Sequence, residues 1–250
     1  MRLNRVAVGL IDLLCAAKLR KNPLSTTFHT IVIPTNVTSI GQHAFSKCSG
    51  LTFIKIPSSV RLVDYGAFYG CSQLETIVLE SGVDFRGDAI FAECPNITDF
   101  YCFADNLQYT VHYFFDGSYI DYATLHVPAA LVDDYKKDAT WSKFMKILPI
   151  EKCATPTITY KDSELTFDCE TEDVEFTSSV RLTGVSSGTG NQVILTPILT
   201  VSVYAQNDFY YNSDVVTIEI DLSEAKCDIN GDGELDNVDI NNLLDIILNR

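Results

Sequence analysis

The sequence predicts a multidomain, mainly β protein, and three observations support that prediction. A 23-residue period begins at Phe28 and continues to about residue 119. From Cys153 onwards, apolar residues alternate with polar ones at a period of two. An acidic, glycine-containing segment followed by a helical apolar pattern closes the chain. We therefore expect four segments, at residues 1–27, 28–150, 151–222 and 223–250.

The composition limits the kinds of partner that the protein can have. Of its 250 residues 46% are hydrophobic, which is enough to build packed cores. The net charge of −15 argues against a nucleic-acid partner, because phosphate binding needs clustered Lys and Arg. The charge is uneven: residues 1–150 contain 14 acidic and 13 basic residues, whereas residues 151–250 contain 19 and 5. This asymmetry indicates that the acidic part is a separate unit.

The N-terminal segment 1–27 is open to more than one interpretation. Arg2 and Arg5, an apolar run and the letters CAA are typical of a secretory signal peptide. Asp12 interrupts the apolar run, and Val6, Leu10 and Leu14 instead follow the spacing of an amphipathic capping helix. A start site inside a longer protein is the third alternative. In each case the segment is too short and too interrupted to span a membrane.

The 23-residue period predicts a solenoid. Copies begin at Phe28, Leu51, Leu74 and, in a degenerate form, Ile97. A single repeat cannot bury its apolar face, but stacked repeats share one continuous core. The columns that recur in register are Ile31/Ile33, Ile54/Ile56 and Ile77/Leu79, then Phe45, Phe68, Phe91 and Phe114, and then Cys48, Cys71 and Cys94.

These columns resemble the BspA-type leucine-rich repeat over roughly residues 28–119. Copies three and four depart from its pattern, since Glu80 and Ala104 replace a proline and Gly117 replaces the cysteine. The resemblance implies a leucine-rich-repeat solenoid of the kind found on secreted and cell-surface proteins of host-associated bacteria and some protists. We expect the column cysteines to be small buried hydrophobes. The four histidines are scattered and show no metal-ligand spacing.

A cap is expected after the last repeat, because the end of a solenoid must be covered. The letters TLHVP read as a last strand, and Ala129 to about Lys146 reads as a helix. This segment resembles the closing segment that follows such repeats. Its predicted buried side consists of Leu131, Tyr135, Trp141 and Phe144.

The strand ladder of the solenoid provides a candidate binding surface. If the Ile columns point inward, the residues between them face outward, and solenoids often bind along such a ladder. A solvated sheet face without a ligand is the alternative. The outward residues are Thr30, Val32, Phe53, Lys55, Thr76, Val78, Asp99 and Tyr101.

Residues 151–222 are predicted to form a small antiparallel β-sandwich. Short alternating strands and polar turns are typical of an immunoglobulin or fibronectin type III style module. The letters LTVSVYAQNDFYYNSDVVTIEI are similar to the last hairpin of chitobiase C-terminal-like modules, which usually act as spacers. Folding the first hairpin about residue 161 places Cys153 opposite Cys169, so the two form either a disulfide or a reduced pair. The acids between Asp168 and Glu175 read as a solvated face.

The letters DINGDGELDNVD, from Asp228 to Asp239, have the pattern of a calcium loop. Oxygen-bearing side chains alternate along it, and Gly233 takes the sixth position, where the chain must turn sharply. Ca²⁺ prefers six to eight oxygen ligands in such an array. The predicted ligands are Asp228, Asn230, Asp232, Glu234 through its backbone carbonyl, Asp236 and Asp239.

The loop together with the apolar helix face that follows it resembles a dockerin type I repeat over residues 227–249. Dockerin modules normally carry two repeats, and this chain has one. The resemblance implies a cohesin-like partner. A lone loop would instead stabilise the tail or pair with another chain, and a solvated acidic turn is the remaining alternative.

No catalytic constellation is visible, because the chain has no Ser-His-Asp order, nucleophile elbow or phosphate loop. The sequence therefore predicts a non-enzymatic extracellular or cell-surface protein that binds or adheres to a protein or glycan. The principal alternative is an accessory component of a polysaccharide-degrading complex, docked through a cohesin. A purely structural fragment of a larger surface protein is the third hypothesis.

Overall fold

The computed structural model describes residues 30–110, 113–161, 164–187 and 194–221. The protein is mainly β with little helix, as predicted, and it divides into two units at the Ile150–Glu151 bond. The N-terminal segment 1–27 and the calcium loop from Asp228 to Asp239 lie outside the described residues, so both remain predictions. In the part that is described, no helix is long and apolar enough to cross a bilayer.

The first unit contains a sheet of six parallel strands in the order β1-β3-β5-β7-β8-β9. The predicted columns lie side by side, since Ile31 pairs with Ile54 and Ile54 with Ile77. Residues of alternating burial along each strand then give the sheet one face towards the core. The strands are β1 (Thr30–Val32), β3 (Phe53–Ile56), β5 (Thr76–Leu79), β7 (Asp99–Cys102), β8 (Thr124–Val127) and β9 (Lys146–Pro149).

A second parallel sheet, in the order β2-β4-β6, uses one short strand from each of the first three repeats. These strands are β2 (Ser39–Ile40), β4 (Leu62–Asp64) and β6 (Asp84–Arg86). Their central residues Ile40, Val63 and Phe85 are buried in the same core as the Ile columns. One core thus joins the two sheets in every repeat.

Tight turns with left-handed backbone recur once per repeat. His43, Gly66, Ala89 and Tyr113 have φ values of 55, 58, 60 and 61°. Glycine is the residue that adopts this conformation without steric cost, and only Gly66 uses it here. At Gly66 an added Cβ would also lie 2.7 Å from the His43 ring, so a side chain at that position would clash with the preceding repeat.

The phenylalanine column forms a continuous stack in the core. The rings of Phe45 and Phe68 are 5.1 Å apart at an interplanar angle of 4°, and those of Phe68 and Phe91 are 5.0 Å apart at 8°. The prediction that Phe114 continues this column is wrong. Phe115 stacks on Phe91 at 18°, whereas Phe114 meets Phe91 at 64°.

The reason is a shift of one residue in the fourth repeat. Phe68 N donates to Ile90 O, 22 positions away, but Phe91 N donates to Phe114 O, 23 positions away. The same shift places Ser118, rather than the predicted Gly117, in the position of the column cysteine. Cys94 Sγ bonds Phe68 O, and Ser118 Oγ correspondingly bonds Phe91 O.

The cap differs from the single helix predicted for Ala129–Lys146. A 3₁₀ turn at Ala129–Leu131 leads into α1 (Val132–Lys137), and another 3₁₀ turn follows at Trp141–Lys143. The helix ends at Asp138, whose backbone is extended and whose Oδ1 accepts from the N–H groups of Thr140 and Trp141. The predicted last strand, β8, is followed by β9.

The aromatic anchors predicted for the cap are largely in place. Tyr135 and Trp141 are fully buried, Phe144 is nearly so, and Leu131 is partly buried. Trp141 Nε1 donates to Gln108 O at 2.9 Å, which satisfies the indole N–H inside the core.

The second unit consists of two antiparallel sheets. One is a two-stranded sheet and the other has the order β12-β13-β14. Leu199 and Val201 form a buried cluster with Ile158, Leu165, Phe167, Val180, Ile218 and Ile220, which come from both sheets. The strands are β10 (Thr157–Lys161), β11 (Glu164–Asp168), β12 (Glu175–Ser187), β13 (Ile194–Gln206) and β14 (Val216–Asp221).

The proposed disulfide between Cys153 and Cys169 is not formed, since both residues are free thiols. The observed register pairs Lys161 with Glu164 and Thr157 with Asp168, so the hairpin does not fold about residue 161. Cys153 therefore does not lie directly opposite Cys169. Cys169 Sγ instead bonds Ala154 O at 3.2 Å, and burial, assisted by the charge of Cys169, raises the pKa of the Cys153 thiol.

Candidate functional site

The outward residues of the six-stranded sheet form two rows, which we call the outer face. Strand register places all eight residues of the predicted binding surface in these rows. The structure adds four residues from β8 and β9 that the sequence analysis missed. One row is Thr30, Phe53, Thr76, Asp99, Thr124 and Lys146, and the other is Val32, Lys55, Val78, Tyr101, His126 and Leu148.

The added residues escaped detection because the period changes near the cap. Tyr101 pairs with His126, a step of 25 residues, and His126 pairs with Leu148, a step of 22. A search at a fixed period of 23 residues cannot find either position. The usable signal was the recurring apolar pair Leu125 and Val127, which flanks His126 and is fully buried.

The comparisons with known proteins concern the same part of the chain. Residues 24–135 match the model of the BspA type leucine rich repeat region, in six copies. The match extends beyond the span of 28–119 and the four copies predicted from the sequence. A comparison of the chain with curated proteins finds no match.

Proteins with BspA type repeats are typically surface-associated, and such a repeat implies a protein-binding surface. The match ends at residue 135 and so does not bear on residues 151–222 or on the calcium loop. Within the BspA type region, the chemistry of the outer face can be read residue by residue.

Exposure is greatest at the two ends of one row of the outer face. Val32 is 84% exposed and Leu148 is 43% exposed. Val78, near the middle of the same row, is fully buried, so the prediction that it faces solvent is wrong. It is paired with Lys55 on one side and Tyr101 on the other, and these long side chains shield it across the roughly 5 Å strand spacing.

An ion pair crosses the outer face where the repeat pattern departs from proline. Lys55 Nζ lies 2.8 Å from Glu80 Oε1, and Glu80 Oε2 accepts from Ser58 N at 2.9 Å. Burial alone would raise the pKa of Glu80, but the hydrogen bonds and charge of Lys55 and the Ser58 N–H outweigh it and lower the pKa. Glu80 is therefore anionic at neutral pH and fixes the Lys55 ammonium on the face.

An aromatic pair occupies the adjoining part of the outer face. The rings of Tyr101 and His126 stack at 4.1 Å with an interplanar angle of 4°, and His126 Nε2 is 3.1 Å from Asp99 Oδ1. The Asp99 carboxylate links the two rows of the face through His126. A flat π-surface with a carboxylate at its edge suits contact with apolar and hydrogen-bonding ligand groups.

The cysteine column serves packing. Cys71 Sγ bonds Phe45 O at 3.1 Å and Cys94 Sγ bonds Phe68 O at 3.2 Å. The hydrogen bond with Cys71 and burial raise the pKa of the Cys94 thiol, so it stays protonated and weakly nucleophilic. Cys48 is disulfide-bonded, so the prediction of a small free hydrophobe is wrong at that position.

Metal-binding geometry was sought in the part of the chain that the structure describes. There, no three His, Cys, Asp or Glu side chains come together in a way that could hold a metal ion. The acidic run Asp168, Glu170, Glu172, Asp173 and Glu175 is exposed at every position. Side chains in water at these positions are well solvated, as the sequence analysis expected.

Proposed function

We propose that the protein is a non-catalytic extracellular or cell-surface binding protein, with a role in adhesion. Its stacked repeats act as a solenoid whose outer face recognises a protein ligand, with a glycan as the alternative ligand. The observation that supports this most directly is the Tyr101–His126 stack beside Asp99, set in a face whose ends expose Val32 and Leu148.

The physical case rests on preorganisation. The outer face is carried by six hydrogen-bonded strands over a core of fully buried Ile, Phe and Leu side chains. A ligand that docks on such a face pays little ordering entropy, because the recognising side chains are already held. Tyr101 and His126 fix one another by stacking, and the Glu80 carboxylate holds Lys55.

The residue types are also those that dominate protein interfaces. Large aromatic side chains supply most of the binding free energy, whereas charged pairs at the rim set orientation. Phe53, Tyr101 and His126 are half-buried, so they offer both contact area and defined position. We infer that Phe53 and Tyr101 are the main anchors for the ligand.

The remaining segments are proposed to support this surface. Residues 151–222 act as an immunoglobulin- or fibronectin-like spacer. Ca²⁺ is held by Asp228, Asn230, Asp232, Glu234, Asp236 and Asp239, a set of hard oxygen donors that fits this ion. Ca²⁺ would neutralise the mutual repulsion of these carboxylates and anchor the helix that follows.

A second candidate function rests on the D-x-N-x-D-G pattern of this loop and the apolar helix face behind it. In that case the tail docks to a cohesin-like partner, and the protein is an accessory component of a polysaccharide-degrading complex. The two proposals differ in which part of the chain holds the partner and in whether the interaction needs calcium.

A ligand screen separates these candidates. The labelled full chain is applied to arrays of extracellular proteins, cohesin modules and glycans, with Ca²⁺ and with EDTA. A protein ligand retained in EDTA supports recognition by the outer face, whereas a cohesin retained only with Ca²⁺ supports docking. Val32→Lys, which places a charge at a site 84% exposed, should weaken the first kind of binding.

Val215→Lys is the matched control, because Val215 is 61% exposed in the second unit. It makes the same chemical change at a distance from the outer face and should leave affinity unchanged. Equal weakening by both substitutions would contradict a role for the outer face.

A further inference from the structure

Two adjoining hollows lie in the BspA type region and share no residue with the outer face. The larger, of about 1250 Å³, is bounded by Leu107–Thr110, the turn from Tyr113 to Ser118 and the cap around Asp138. The smaller, of about 390 Å³, is bounded by Tyr65, Tyr69 and the turn from Asp88 to Glu93. Asp88, Tyr113 and Asp116 belong to both walls, so the hollows form one open trough.

The trough is rich in exposed aromatic surface. Tyr109 is 90% exposed, Tyr113 is 67% exposed and Tyr65 is 41% exposed. Aromatic rings of this size normally bury most of their area, because their apolar faces are costly to hydrate. Exposed aromatic rings that line a concave surface mark it as a place where a ligand binds.

Tyr113 bears an additional cost. Its φ of 61° lies in the left-handed region, where the equivalent position of an earlier repeat has Gly66 at 58°. Left-handed backbone costs a bulky residue roughly 1–2 kcal/mol relative to glycine. A strained and exposed tyrosine at a position suited to glycine indicates that the ring is kept for contact with something outside the fold.

The charge of the trough identifies the class of ligand. Asp88, Glu93, Asp116, Asp121 and Asp138 line it, and Lys143 is the one basic side chain among its described walls. Among the described residues, none of the first four carboxylates forms an ion pair. Uncompensated carboxylates beside exposed tyrosine rings favour cations, through charge-assisted hydrogen bonds and cation–π contacts.

We propose that this trough binds a basic peptide segment, with Arg or Lys side chains placed against Tyr113 and Tyr109 and paired with Asp116 and Asp121. The shape favours a peptide over a small ion, because the two hollows continue past Tyr113 and accommodate an extended chain. The site is separate from the outer face, so it would hold a second partner or a basic tail of the same partner.

The test uses the full chain and a labelled short peptide of alternating Arg and Gly, with fluorescence anisotropy as the readout. The site predicts saturable binding that weakens as salt rises, because screening shortens the range of charge interactions. A Glu-Gly peptide and a neutral cello-oligosaccharide should not bind. Binding of the oligosaccharide in place of the basic peptide would overturn the proposal in favour of a glycan site.

Variants locate the site and separate it from the overall negative charge. Tyr113→Gly should lower affinity by roughly tenfold while the melting temperature stays equal or rises, and Tyr113→Phe should retain affinity. Asp116→Asn should lower affinity, whereas Asp133→Asn on α1, which changes net charge equally, should not. Tyr122→Ala, at a ring 73% exposed outside the trough, is the aromatic control. Equal effects of Asp116→Asn and Asp133→Asn, or unchanged binding by Tyr113→Gly, would overturn the proposal.

Discussion

The Ser118 hydroxyl donates to the carbonyl oxygen of Phe91 at 2.7 Å, and in doing so replaces the thiol of the cysteine column. It also accepts from the Cys94 N–H at 2.8 Å. The shorter O–H donor therefore makes the same link between neighbouring repeats that Cys71 and Cys94 make through sulfur. A repeat that has lost the cysteine letter has retained its hydrogen bond.

Removal of the Ser118 hydroxyl should destabilise the first unit. Ser118→Ala leaves the Cys94 N–H and the Phe91 carbonyl without this partner, and an unsatisfied buried group costs about 1–3 kcal/mol. Ser118→Cys restores the column residue and should cost less. The free energy of unfolding from urea titration distinguishes them, with exposed Ser142→Ala as the control. A Ser118→Ala variant as stable as Ser142→Ala would refute the equivalence of Ser118 with the cysteines.

The phenylalanine stack should dominate the stability of the same unit. Phe68 is fully buried between Phe45 and Phe91, so Phe68→Ala leaves a cavity and should cost about 3–5 kcal/mol. Val32→Ala, at a site 84% exposed, should change stability by less than about 0.5 kcal/mol. Thermal unfolding followed by circular dichroism measures both. Similar melting temperatures for the two variants would show that the stack is not the core of the unit.

Alkaline pH should destabilise the first unit. Burial raises the pKa of Cys102 above its ordinary 9.0 and that of Tyr135 above its ordinary 10.0. The folded state thus keeps protons that the unfolded chain loses, so stability is full below about pH 9 and falls as the pH rises further. Urea titrations between pH 7 and pH 11 measure this decline.

Tyr135→Phe provides the specific check. It should lower stability at neutral pH, because Gln108 N donates to the Tyr135 hydroxyl, yet it should make the decline above pH 10 shallower by removing one titrating group. Tyr122→Phe, at an exposed ring, should alter neither quantity. A decline as steep in Tyr135→Phe as in the wild type would mean that other groups cause it.

The calcium proposal predicts heat on titration of the full chain with millimolar Ca²⁺, and its loss in Asp228→Ala and Asp232→Ala. EDTA should make the C-terminal tail more susceptible to proteolysis, and Ca²⁺ should reverse this, because the loop carboxylates repel one another without the ion. Glu224→Ala, just outside the loop, is the control. A titration without heat would end the proposal.

The regular part of the fold could be predicted from the sequence because its period is strict. Ile31, Ile54 and Ile77 recur every 23 residues and lie side by side in one sheet. The positions of Phe115 and Ser118 could not be predicted, because one extra residue enters the fourth repeat without a letter that marks it. Only the backbone hydrogen bonds from Phe91 and Glu93 reveal the shift.

The cap and the candidate site show where local patterns are insufficient. The apolar spacing of Ala129–Lys146 suggested one helix, but Asp138 ends α1 because it caps the turn at Trp141 instead. Val78 was expected to face solvent from strand alternation alone, yet its neighbours Lys55 and Tyr101 shield it. Both errors arise from side chains that lie far apart in sequence or act on the backbone.

The affinity of a Phe53→Ala/Tyr101→Ala double variant for the protein ligand found in the array screen tests the central claim most directly. Tyr119→Ala/Tyr122→Ala is the matched control, because it also removes two aromatic rings, 60% and 73% exposed, from the same unit but away from the outer face. The account predicts that the first variant loses at least roughly tenfold in affinity while the control binds as the wild type does. Unchanged affinity of the Phe53→Ala/Tyr101→Ala variant would contradict the assignment of the outer face as the binding surface.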